Sequence, residues 1–462
     1  MARLRLNDLA RKMGGTLIQG RPSLSFGIFN IDSRLSKPGE LFFAIVDKRD
    51  GHDFIADSAA RGATGAVISR DVVPPRKDFA LIRVGDTIEA LQTLARKVLN
   101  EHRVKVVGIT GSIGKTTTKE FATALLSQKY GVLRSEGNFN NQLGLALSLL
   151  KLEKHHDVAV LEMAMSGRGE IRTLTEIAPP DVAVITNINP VHLQFLGDLE
   201  EVAKAKKEIL EGTKKGGTAV LNGDDPRVKK IGRGWKGRKI SFGFSTGCDI
   251  RARNIRSRGF EGLTFELVLK GKAAEFSFPF LYEAFLSNLL AAVGVASAFS
   301  LDLKDLSAQI AGLKPSGKRG ILINLGRNIR LVDDSYNSNP KALESALKAL
   351  SALPARRKVA VLGDMLELGD REIEFHCDAG QQVARLGWDV LITVGPLGRH
   401  LVEGALRARM SRSKIYSFEN AEDAAEGLWP LLKEGDLVLI KGSRGIHTEK
   451  IVDGLRRRAK EN

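Results

Sequence analysis

Four near-continuous aliphatic runs, VKVVGIT (104–110), DVAVLEM (157–163), DVAVITNI (181–188) and TAVLN (218–222), are separated by helix-sized stretches. Strands this apolar on both sides of the pleat have no face to offer water, so they predict a parallel sheet covered by helices on both faces. The rhythm returns in NIRLVDD (328–334), KVAVLGD (358–364), DVLITVG (389–395) and DLVLIKG (436–442), which predicts a second, smaller doubly wound sheet. Ahead of both, ELFFAIV (40–46) and TGAVISR (64–70) alternate with helical patterns. DTIEALQTLARKVL (86–99), apolar at three- and four-residue intervals, closes that first segment. Between Lys239 and Phe280, stretches such as GLTFELVL predict antiparallel strands appended to the central sheet, and Lys314, Pro315, Ser316 and Gly317 read as a linker. A chain of 462 residues exceeds one ordinary core. The expected fold is α/β in three domains: a central parallel-sheet domain, a smaller α/β N-terminal domain and a doubly wound α/β C-terminal domain.

The formal charge of +16, from 70 Lys and Arg against 54 Asp and Glu, admits nucleic acid, an anionic membrane surface or phosphorylated small molecules as partners. The basic residues are spread along the chain and aromatics are sparse, so no nucleic-acid module is expected. Cys248 and Cys377 stand far apart without metal-like spacing, which fits a reducing, cytoplasmic compartment. The opening MARLRLNDLARKM lacks the apolar core of a signal peptide. Ala284 to Ser300, the most apolar stretch, is short for a bilayer and contains Asn288, so it reads as a buried helix and the chain as no integral membrane protein.

GITGSIGKTTT (108–118) lies between a buried-type strand and a helix expected to start near Thr116. Gly111 and Gly114 let backbone amides approach phosphate oxygens, and the helix N-terminus adds favourable partial charge. Lys115 would neutralise the β- and γ-phosphates and the Thr116 hydroxyl would bind Mg²⁺. The spacing is G-x-x-G-K-T rather than the commoner G-x-x-x-x-G-K-[ST]. Thr110, Gly111, Ser112, Ile113, Gly114, Lys115, Thr116 and Thr117 form the expected ATP-phosphate cradle. Such a loop serves kinases, motors and switches as well as ligases.

In an open parallel sheet the crevice lies at the carboxyl ends of the strands. Glu162 ends one strand and His192 follows another, so both should face the phosphate loop. Mg²⁺ prefers oxygen donors, which suits Thr116 and Glu162 and tolerates one histidine. Taken singly, Glu162 reads as a strand-end charge and His192 as a loop histidine.

The phosphate loop, GNFNNQLG (137–144), EMAMSGRGEI (162–171), NINPVHLQFLG (187–197), VAKAKKEIL (202–210), LNGDDP (221–226), DDSYNSNP (333–340), GDMLELG (363–369) and KGSRG (441–445) follow one another here. In that order they resemble the Mur ligases over nearly the whole chain, from DSRLSKPGELFFAI (32–45) onward. The resemblance implies an ATP-dependent amide-bond ligase of peptidoglycan synthesis, using ATP and Mg²⁺. It would add D-alanyl-D-alanine to UDP-N-acetylmuramoyl-tripeptide through an acyl phosphate. It implies that Lys115, Lys206, His192 and Arg319 are catalytic, with Arg319 reaching the phosphates. Thr116 and Glu162 would hold a first metal and His192 would help bind a second. Lys206 matches a lysine carried as a carbamate, which turns a cation into an anionic oxygen donor. From the residues alone, Lys204, Lys206 and Lys207 are equivalent helix lysines. Asp334 matches a ribose contact, with Asn337 and Asn339 beside it, and Asn288 matches a second nucleotide-site asparagine. Asn138, Asn140 and Asn141 match a substrate-contacting stretch, and Ser33 and Arg34 positions near the uridine diphosphate. For the asparagines, turn chemistry is the competing explanation.

The implied domains are 1–103 for the UDP-substrate, 104–313 for ATP, and 314–462, closing on ATP and the amine. The chain is expected to act as a monomer on small molecules. It departs from the family where Leu281 to Phe285 replace a Gly-x-His-Asn stretch that contacts adenine, in VDKRDGHDF near Val46, and at Ser338, where alanine is common. The competing functions are a sibling ligase adding another amino acid, a folate-type polyglutamate ligase and a P-loop nucleic-acid-binding ATPase.

Overall fold

The computed structural model describes residues 3–190, 196–315 and 317–461, so His192 and the linker residue Ser316 lie outside the described residues. Sheets of five, nine and six strands follow one another along the chain, with a two-stranded ribbon beside the first. They mark the three α/β domains anticipated above.

The nine-stranded sheet runs, edge to edge, Val132–Arg134, Val158–Glu162, Lys105–Thr110, Val182–Ile185, Thr218–Asn222, Arg238–Gly243, Ile250–Ser257, Leu263–Leu269 and Lys272–Phe278. Neighbours are parallel as far as Ile250–Ser257, and the last two strands are antiparallel. The antiparallel part therefore begins later than the predicted Lys239. Helix Pro226–Gly232 carries the chain back over the sheet first, so Arg238–Gly243 joins Thr218–Asn222 in parallel.

The aliphatic runs are buried on alternate faces. Val107, Ile109, Val160 and Val184 pack with Phe121 and helix Glu283–Ala298 on one side. Val106, Ala159, Leu161 and Ile185 pack on the other side with Leu91 and Leu94 of helix Thr87–His102. That helix thus roots the N-terminal domain in the central core. Helix Glu283–Ala298 also touches Pro340–Ser351 of the C-terminal domain. No helix among the described residues is long and apolar enough to cross a membrane.

In the six-stranded sheet, Ile321–Asn324 is an antiparallel edge, followed by Arg330–Asp333, Asp436–Lys441, Arg357–Gly363, Val390–Val394 and Ile415–Phe418 in parallel. Asp334 and Lys441 come to the carboxyl ends of adjacent strands, at the edge where open α/β sheets bind ligands.

Candidate active site

Strand Lys105–Thr110 lies between Val158–Glu162 and Val182–Ile185 and delivers Gly111 to Gly114 to the carboxyl edge of the sheet. Helix Lys115–Leu126 begins at once. Gly111 and Gly114 have φ of +147° and +84°, and a Cβ would stand 1.9 Å from Thr186 Oγ1 at the first and 2.1 Å from Asn288 Oδ1 at the second. Asn187 clamps the loop from outside: its backbone oxygen accepts from Ser112 N at 3.0 Å and its Oδ1 from Ile113 N at 2.9 Å. Asn187 Nδ2 and Thr186 Oγ1 both donate to Ile113 O, at 3.0 and 2.7 Å. Ser112 and Ile113 therefore shape the loop. The first helical bond runs from Thr118 N to Gly114 O at 2.8 Å, which leaves the amides of Lys115, Thr116 and Thr117 for an anion.

This geometry makes Gly114→Ala a sharp test. The variant is expected to lose nucleotide binding and about 1–3 kcal/mol of stability, the usual cost of a strained backbone position. Urea unfolding and titration with a fluorescent nucleotide read the two effects. Wild-type nucleotide affinity would mean that the close approach to Asn288 is dispensable.

Around the loop, Thr116 Oγ1 donates to Glu162 Oε2 at 2.8 Å, and Asn140 Nδ2 donates to Glu162 Oε1 at 3.0 Å. Glu162 is buried at the end of its strand, so its carboxylate is held by neutral donors and presents hard oxygens suited to Mg²⁺. Lys115 Nζ folds back onto Gly111 O and Ser112 O at 2.9 and 3.3 Å. Burial depresses its pKa, opposed by the charge of Glu162 and aided by that of Arg319. Lys206, inside helix Leu199–Glu211, is 2% exposed and has no hydrogen bond or ion pair among the described residues. Burial, then the charge of Lys115, pushes its pKa well below the ordinary 10.5. Lys204 and Lys207 are instead paired with Glu201 and Glu211 and are about half exposed. The structure thus separates three lysines that the sequence leaves equivalent.

Lys115, Thr116, Glu162 and Lys206 come together, and Arg319 reaches them from the C-terminal domain. Its Nη2 lies 3.4 Å from Thr116 Oγ1, and its guanidinium lies 3.8 Å from the Tyr336 ring centroid. Asp334 is buried against Lys441, whose Nζ donates to Asp334 Oδ2 at 2.7 Å and to Asn337 O at 2.9 Å. Burial raises the Asp334 carboxyl above its ordinary value against the pull of Lys441.

Other predicted residues are placed less decisively. Asn339 and Asn141 cap helices, accepting from Ala342 N at 3.0 Å and Gly144 N at 2.9 Å, and Asn138 is exposed. Thr110 is buried beneath the loop and Thr117 is buried in the first helical turn. Ser33 and Arg34 lie in a 3-10 turn of the N-terminal domain, where Asp32 holds the Arg34 guanidinium at 2.7 and 2.9 Å. Asn187, Lys441 and Tyr336 stand within motifs the sequence reading quoted, yet it gave them no role.

A separate cluster joins Cys377, His400 and Glu403 across helices Glu372–Arg385 and Gly398–Arg407. Arg399 Nε donates to His400 Nε2 at 3.1 Å, which places the imidazole proton on Nδ1, 3.5 Å from Glu403. Arg407 lies 3.9 Å from the same carboxylate. The Arg407 guanidinium meets the charge of Glu403 and Arg399 occupies the His400 ring, so the cluster reads as a link between helices.

The family profile of the Mur ligase middle domain matches residues 109–296, and that of the Mur ligase glutamate ligase domain matches residues 319–444. A UDP-N-acetylmuramoyl-tripeptide–D-alanyl-D-alanine ligase of Bacillus subtilis is 35% identical, over 98% of this chain and 99% of that one. A crystal structure of MurF from Acinetobacter baumannii superposes with a TM-score of 0.90 at 30% identity, over 99% of both chains. MurF ligase from Thermotoga maritima in complex with ADP does so with a TM-score of 0.81 at 31% identity, over 94% of this chain and 98% of that one. With its phosphate loop, buried carboxylate and buried lysine in this arrangement, the chain belongs to the Mur ligase family.

Proposed function

We propose that the protein is the ATP-dependent ligase that joins D-alanyl-D-alanine to UDP-N-acetylmuramoyl-tripeptide in peptidoglycan synthesis. The observation that carries this reading is the convergence of Lys115, Thr116, Glu162 and Lys206 beside Arg319. Full-length similarity to ligases of that name supports it. Residues 1–103 would hold the uridine diphosphate end, 104–313 ATP, and 314–462 would close on ATP and the dipeptide. The protein would act as a cytoplasmic monomer.

A carboxylate is a poor electrophile because its own charge repels nucleophiles. One carboxylate oxygen of the tripeptide attacks the γ-phosphorus, the bond to the β-phosphate oxygen breaks, and ADP leaves an acyl phosphate. The dipeptide amine then attacks the acyl carbon, the carbon–oxygen bond to phosphate breaks, and the amine gives up a proton. Lys115, Arg319 and the open helix amides offset the charge that gathers on the phosphoryl oxygens. Thr116 and Glu162, with His192 and a carbamylated Lys206, would hold Mg²⁺, which withdraws further charge from those oxygens when bound. Asp334 would fix the ribose and Asn140 the peptide-bearing substrate.

Phosphate release, measured while each substrate is omitted in turn, tests the assignment. Release should require ATP, the nucleotide-linked tripeptide and the dipeptide together. Equal release with a single L-amino acid, or with glutamate and a folate, would assign the chain to another ligase.

A further inference from the structure

Lys119 is fully buried, on the helix that opens with Lys115 and Thr116, yet no step above uses it. Its Nζ donates to Ser135 O at 2.7 Å, and Glu120 beside it is the nearest carboxylate, at 3.3 Å. Ser135 is also buried. Its Oγ accepts from Glu162 N at 3.1 Å, and its own amide continues the ladder to Val160 O at 3.2 Å. Ser135 is the last fixed point before the segment that carries Asn140, which returns to Glu162 through its side chain and to Ala164 N through its carbonyl, at 3.0 Å in each case.

We infer that Lys119 is a positioning residue that sets the Glu162 carboxylate against Thr116. The ammonium ties the phosphate-loop helix to Ser135, and Ser135 in turn holds the strand end that bears Glu162 and leads into the Asn140 segment. Burying an ammonium is costly, and a simple brace between helix and strand needs no charge. An ammonium reaching across to a backbone carbonyl fixes one register of the strand end, as partners behind a metal ligand do. The inference rests on the ligase reading for the use of Glu162, but not for the geometry.

The test compares Lys119→Met, Lys119→Arg and Ser135→Ala with wild type in two measurements. Amide hydrogen exchange of the ligand-free protein reports on the Glu162 and Ala164 amides. Mn²⁺ titration of the ADP complex, followed by electron paramagnetic resonance, reports on the metal site. Lys119→Met and Ser135→Ala should both speed exchange at Glu162 and weaken Mn²⁺ binding about 10- to 100-fold, the usual cost of losing a partner behind a ligand. Lys119→Arg should recover part of both. Wild-type Mn²⁺ affinity in Lys119→Met, even with a lower melting temperature, would reduce Lys119 to a brace and overturn the proposal. If Lys119→Met does not fold, Lys119→Gln takes its place, since Ser135→Ala keeps the carbonyl that Lys119 holds and tests only the onward link to Glu162 N; wild-type Mn²⁺ affinity in Lys119→Gln would likewise overturn the proposal. Exchange that changes as expected in a protein without ligase activity would sink the functional reading and leave the positioning intact.

Discussion

Lys206→Met is expected to abolish ligase activity and, in metal-free buffer stripped of carbon dioxide, to raise the melting temperature. The two effects have one cause. Lys206 is enclosed in helix Leu199–Glu211, without an anionic partner among the described residues, and burial followed by the Lys115 charge disfavours its charged form in the fold. The unfolded chain binds that proton at the ordinary value of 10.5, so it takes up more protons than the native state between the depressed native value and 10.5. Linkage then gives the sign. The penalty is absent above 10.5, grows as pH falls toward the depressed native value, and is constant below it. Methionine keeps the stem volume and removes the penalty, so its advantage should shrink as pH rises toward 10.5. The neutral form of an amine is also the one that adds carbon dioxide, and burial favours that form at Lys206. Bicarbonate should therefore stabilise the wild type and leave Lys206→Met unchanged. Without the anionic oxygen the rate should fall on the order of 10³-fold, as when a group aimed at developing charge is deleted. Thermal scans across pH, with and without bicarbonate, and single-turnover ADP release make the comparison. A variant that is less stable and still active would place Lys206 among ordinary packing residues.

What could be read from the sequence was local. The phosphate loop follows from its glycines, and the parallel sheet from runs such as VAVLE, because both are set by neighbours a few positions apart. The Lys441–Asp334 pair spans 107 residues, and no period in the sequence connects its members. Asn187 escaped notice for a similar reason: its work is done on Ile113, 74 residues earlier. The reading of Lys206 shows the boundary well. Three lysines in four positions share one local environment in sequence, and only helix packing decides which of them faces inward. Asparagine is ambiguous for another reason. Asn141 and Asn339 occupy motifs that resemble ligand-contacting stretches, yet their side-chain oxygens cap helices. A residue good at turns sits near binding loops for both reasons, and sequence does not separate the two. The switch from parallel to antiparallel strands, which comes between Ser257 and Leu263, was misplaced because a short strand after a short helix has the same pattern in either direction.

Arg319 gives the second large effect, because it is the side chain by which the C-terminal domain reaches the phosphate loop. Its guanidinium stacks on Tyr336 with Arg444 on the same ring at 5.1 Å, and Nη2 lies 3.4 Å from Thr116 Oγ1. A planar, delocalised cation lies flat on a ring while one edge points at an oxygen, whereas a lysine ammonium offers a point charge with no plane to stack. Arg319→Lys should therefore behave much like Arg319→Ala. Both should slow phosphoryl transfer about 10³-fold, the lower end of what an arginine supplied to a transferring phosphoryl group contributes. Nucleotide affinity should change far less, because Lys115 and the open amides before Thr118 belong to the central domain and remain in place. Single-turnover transfer measured beside ADP titration separates these quantities. Tyr336→Leu should reproduce a smaller share of the loss by freeing the guanidinium from its plane. If Arg319→Lys keeps wild-type transfer, charge alone suffices and the stacked geometry is incidental. If both variants lose ADP binding in proportion to rate, Arg319 holds the nucleotide in the ground state instead of acting on the transferring phosphoryl group.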